Sequence, residues 1–113
     1  MTPTIDFQLV EALPDGRVTG RNCGADAPVG TVFTSLCRRD FRSSDPSQDI
    51  VSPELVFVCD LSLRLDGVEM YQRQIGFVGS GHTARLSLSG SGFPIVAEVV
   101  SAAPEHTYFS LCA

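Results

Sequence analysis

The chain has 113 residues, a formal net charge of −5 and no lysine, so all eight basic residues are arginines. This length suits one domain, because halves of it would be too small to enclose a core. No apolar run approaches the ~18 residues of a membrane-spanning helix, and an acidic chain without lysine is a poor match for bulk binding to nucleic-acid phosphates.

The N-terminal "MTPTIDFQLV" has neither a basic stretch nor an apolar stretch of the kind a secretory leader carries, so a cytoplasmic protein is expected. The cysteines, Cys23, Cys37, Cys59 and Cys112, form no CxxC pair, and His82 and His106 stand far apart. Zinc is usually held by closely spaced pairs of ligands, so neither a metal nor a cofactor is expected. Reduced thiols in a cytosolic setting act as small apolar side chains.

In chain order, "DFQLVEAL" reads as a strand ended by the turn "PDG", and "RVTGR" as a second strand before the turn-rich "NCGADAPVG". "TVFTSLCRR" is a third. The polar, proline-containing residues 40–53 form a long loop carrying part of the arginine group Arg38, Arg39 and Arg42, a candidate partner-binding edge whose plainer reading is a solvated margin. "ELVFVCDLSLRL" alternates most cleanly: Leu55, Phe57, Cys59, Leu61, Leu63 and Leu65 share one parity and point to a core. Asp66-Gly67 fits either a two-residue hairpin turn or a bulge inside one long strand. "VEMYQRQIGF" continues as strand, "HTARLSLSG" turns Ala84, Leu86 and Leu88 inward, and "FPIVAEVV" and "HTYFSLCA" supply the last strands, with residues 96–113 an extra C-terminal strand segment. No window has a clear helical period. Short strands and frequent turns predict an all-β domain, a sandwich or, given the short chain and its glycine-marked corners, a small barrel.

Several of these stretches together resemble the second domain of elongation factor Tu and related translational GTPases. "GVEMY" (Gly67–Tyr71) and the following "ARLSLSG" (Ala84–Gly90) are similar to two of that family's strands, "GRVTGR" (Gly16–Arg21) to a third, and the Gly24 to Gly30 stretch to a corner of its barrel. The resemblance implies a small closed antiparallel β-barrel of about six strands, filling residues 1–113 as a single domain. It also implies a surface that takes the 3′ end of aminoacyl-tRNA or packs on a nucleotide-binding domain, with Glu69 where the family's glutamate lies against the terminal adenine. The family's basic residue three places on is Gln72 here, and Arg73 follows it on the opposite strand parity. The tail "VSAAPEHTYFSLCA" has no family counterpart.

No GxxxxGK[ST] phosphate loop is present, so the expectation is a stand-alone barrel that does not hydrolyse GTP. Enzyme readings are weak. Asp15, Asp26 and Asp66 sit in turn contexts, and nothing local ties His82 to a cysteine nucleophile. The expected function is therefore a non-catalytic binding or adaptor module whose partner is a protein. A second reading has Glu69, Tyr71 and Arg73 binding an RNA or tRNA end or a nucleotide-like ligand, and a third makes the fold a decoy that neutralises a toxin. Each site residue has a plainer reading. Glu69 would pair with Arg73 or Arg85 on a wet strand face, Tyr71 would pack across strands, and Arg17 and Arg21 would keep one face solvated rather than hold an anion.

Overall fold

A computed structural model describes residues 5–40, 55–103 and 107–113, with the side chain of Asp40 left aside; Arg42 and residues 41–54 lie outside these. Nine strands and one helix are present among the described residues: β1 (Asp6–Ala12), β2 (Arg17–Asn22), β3 (Ala27–Pro28), β4 (Val32–Asp40), β5 (Val56–Met70), β6 (Arg73–Ile75), β7 (Phe77–Val78), β8 (Thr83–Ser91), α1 (Phe93–Ala102) and β9 (Thr107–Cys112). All strand pairing is antiparallel. The main sheet runs β4-β9-β1-β2-β8-β5-β6, and β5 pairs back to β4, so six strands are hydrogen-bonded in a ring with β6 hung on its side. No described helix is long and apolar enough to cross a membrane.

The ring closes because one strand serves two neighbours. β5 is 15 residues long. Its first part pairs with β4 from Val56 to Arg64, and its later part pairs with β8 from Ser62 to Glu69. The alternation seen in the sequence holds at Leu63 and Leu65, which are fully buried. Beyond them the β5–β8 register slips between Leu65 and Gly67, so Asp66-Gly67 is a bulge and the strand does not end there. The extra residue reverses the parity, and Val68 rather than Gly67 faces the core. At the other end the alternation outruns the core: Phe57 is 58% exposed, contrary to the inward position that its parity suggests.

Phe7, Leu9, Val18, Phe33, Leu36 and Leu111 fill the interior from the other strands, joined by Ala84 and Leu86 from β8 as expected. The small β3–β7 sheet adds Ala27 and Val78. β1 and β2 approach unusually closely at Gly20. A Cβ there would fall on the Gln8 carbonyl oxygen and 2.7 Å from Phe7 Cε1, so only glycine fits opposite Leu9.

The segment read as strand from Phe93 onward is a helix. Gly92, at φ 110°, turns the chain out of β8, and Pro94 in the first turn supplies a φ already suited to a helix. Val96 then enters the core with Phe93, Val99 and Val100 packed around it. That spacing of three and four residues is helical. Its β-branched composition reads as strand, and tertiary packing overrides it. The proposed C-terminal strand segment 96–113 is therefore helix to Ala102 and strand only over β9.

Candidate functional site

The stretch from Glu69 to Arg73 is not continuous strand. β5 ends at Met70, the chain reverses through Tyr71 and Gln72, and β6 returns with Met70 opposite Arg73 and Glu69 opposite Gln74. Two-residue hairpins of this kind need positive φ at both central positions, which is why Asn-Gly is the usual choice. Tyr71 has φ 52° and Gln72 φ 64°, the only non-glycine residues with positive φ among those described. Each left-handed non-glycine residue carries a conformational cost of about 1 kcal/mol or more. The turn projects Tyr71 into solvent at 92% exposure. An aromatic ring in that position has no cross-strand partner to pack on, so the plainer reading of Tyr71 fails.

The hairpin register also sorts the three candidate residues. Directly opposed residues share a sheet face, so Arg73 lies on the face of Met70 and Glu69 on that of Gln74. Glu69 and Arg73 are thus on opposite faces, with Tyr71 at the tip between them. On its own face Glu69 meets Arg85, its neighbour on β8, at 3.6 Å between Oε1 and the guanidinium. This is a long, part-exposed contact of small energetic value. Arg73 is exposed and makes no ion pair among the described residues.

Most other arginines are tethered. Arg17 holds Asp15 at 2.6 Å, and its hydrogen bond keeps the Asp15 carboxyl below the usual carboxylate range. Arg64 holds Asp66 at 2.8 Å, where hydrogen bonds from Ser89 and then Arg64 lower the Asp66 carboxyl. Arg17 is therefore engaged with a turn aspartate rather than forming an anion site with Arg21.

The arginine group splits. Arg42 lies outside the described residues. Arg38 and Arg39 are consecutive on β4 and so lie on opposite faces. Arg39 reaches Asp6 on β1 at 2.7 Å, with the Asp6 side chain 6% exposed and that of Arg39 25%. Arg39 is thereby held, part-exposed, in an ion pair on the outer face of the sheet.

Two polar centres gave no signal in the sequence. One is this Asp6–Arg39 pair. The other is Asn22, fully buried, whose Nδ2 donates to the Ala25 and Val78 carbonyls at 2.9 Å each and whose Oδ1 accepts from Gly24 N–H at 3.1 Å. Asn22 joins the main sheet to the β3–β7 pair. Among the described residues no three of His, Cys, Asp and Glu come together to hold a metal ion. No protein-family model, curated protein or solved structure matches this chain.

Proposed function

We propose that this chain is a non-catalytic binding module, a small closed β-barrel of the kind that serves translational GTPases as their second domain, and that it docks a protein through the tip of the β5–β6 hairpin. The ring of six antiparallel strands supports the barrel reading. One observation carries the functional reading: Tyr71 and Gln72 hold left-handed backbone where asparagine and glycine would sit at less cost, and the turn so built presents a tyrosine almost wholly to solvent. Strain kept where no contact among the described residues needs it marks a site shaped for something else. Tyrosine and arginine are among the side chains that most often dominate protein interfaces, and the Arg73 guanidinium next to the tip, in no ion pair among the described residues, suits a carboxylate on the partner. The nucleotide-end reading has less support, because Glu69 leans on Arg85 and Arg73 stands on the other face of the strand.

Affinity capture from the native lysate tests this. The wild-type chain is expected to retain a protein partner in nuclease-treated lysate, and Tyr71→Ala to weaken that retention by about tenfold or more, the loss typical of an interface anchor. Retention that survives Tyr71→Ala, or that disappears on nuclease treatment, would refute the protein-docking reading.

A further inference from the structure

Ser35 on β4 is opposite Cys112 on β9, and Cys37 is opposite Ser110, so Cys37 and Cys112 stand diagonally across one ladder on the same face. Leu36 and Leu111 alternate with them and point to the core, which puts both thiols on the outer face of the ring. Both are reduced and buried, at 7% and 5% exposure. Cys37 is near enough to raise the Cys112 thiol, and the Ser35 hydroxyl, on the residue opposite Cys112, lies 3.8 Å from the Cys37 sulfur. Asp6 and Arg39 border the pair. Cys23, which is exposed, donates to Gln8 Oε1 at 3.4 Å, and Cys59 is on β5.

We propose that Cys37 and Cys112 form a cross-strand dithiol that a hydroperoxide oxidises to a disulfide, fastening β9 to β4. One sulfur, as thiolate, attacks the peroxide O–O bond and becomes a sulfenic acid, and water or an alcohol leaves. The second thiol then attacks the sulfenic sulfur, the S–S bond forms, and the hydroxyl departs as water with the thiol proton. The two electrons lost by the sulfurs reduce the peroxide. Burial, and next the neighbouring Cys37, push the Cys112 thiol up, and both sulfurs are shielded from solvent, so the step is slow. It is a durable fastening rather than a fast sensor. Because the bond joins strands far apart in sequence, it constrains the unfolded chain strongly.

The test is oxidation of the folded full chain with hydrogen peroxide at about pH 7 and about pH 9, followed by alkylation in denaturant and peptide mapping. The expected product links the Cys37 and Cys112 peptides, with a mass loss of about 2 Da. It forms faster at the higher pH and melts higher by roughly 5 °C or more until reductant is added. Cys112→Ser is expected to abolish the shift. Mapping of the wild-type chain decides the matter even if that variant folds poorly: recovery of Cys37 and Cys112 as free thiols while Cys23 is consumed, or a link from either to another cysteine, would overturn the proposal.

Discussion

Arg39→Met is expected to lower the free energy of unfolding by about 3 kcal/mol, read from urea denaturation near neutral pH with an unchanged m-value. The Asp6 side chain is nearly sealed from water, its Oδ2 meets the guanidinium at 2.7 Å, and its Oδ1 has no hydrogen-bond partner among the described residues. Removing the arginine leaves a carboxylate in the outer layer with nothing to replace its hydration. Fully buried pairs lose about 3–5 kcal/mol when one partner goes, and the partial exposure of Arg39 places this one at the lower end. The double variant Asp6→Asn/Arg39→Met removes both charges and is expected to recover most of the loss, because an ion pair sealed among strands gains little net energy over neutral groups of similar size. A double variant as unstable as the single one would show that Arg39 acts through packing of its stem and not through charge.

Asn22→Ala is expected to cost about 2–3 kcal/mol, by leaving the buried Val78 carbonyl and the part-buried Ala25 carbonyl and Gly24 N–H without the side chain that joins them. The damage should be local as well as global. The Asn22 backbone carbonyl also accepts from Gly81 N–H at 2.7 Å, and its own N–H donates to His82 O at 2.9 Å. Amide exchange should therefore accelerate first at Gly24 and in the turn before β8, where the amide side chain ties segments 56 residues apart. Unchanged exchange at Gly24 with a normal melting temperature would contradict the role assigned to Asn22.

Neither residue could be picked out from the sequence, and the reason is the same in both cases. Alternation reports which face a strand residue occupies, and it located Leu63, Leu65, Ala84 and Leu86 in the core. It says nothing about what lies across from a polar residue. In the sequence Asn22 opens a turn-rich stretch and Asp6 is one residue of the first strand, with nothing to mark either as a buried polar centre. One signal at Arg39 was available: two adjacent arginines on a strand lie on opposite faces, so Arg38 and Arg39 were unsuited to one shared surface. Bulges are harder. The one at Asp66-Gly67 was open to either reading, yet the parity reversal that brings Val68 inward depends on the register with β8. The helix from Phe93 was hidden by its valines and isoleucine, whose β preference is overridden when Val96 finds a place in the core. The hairpin at Tyr71-Gln72 was invisible because it lacks the asparagine and glycine by which such turns are recognised. That absence is the basis for the functional reading.

The most direct test is therefore to give this turn the residues its backbone prefers. Tyr71→Asn/Gln72→Gly is expected to raise the free energy of unfolding by about 1–2 kcal/mol, since both positions then hold left-handed backbone readily, while the partner captured by the wild-type chain is no longer retained. A variant that is less stable than wild type, or one that is more stable and still captures the same partner, would contradict the claim that strain at this tip is maintained for binding.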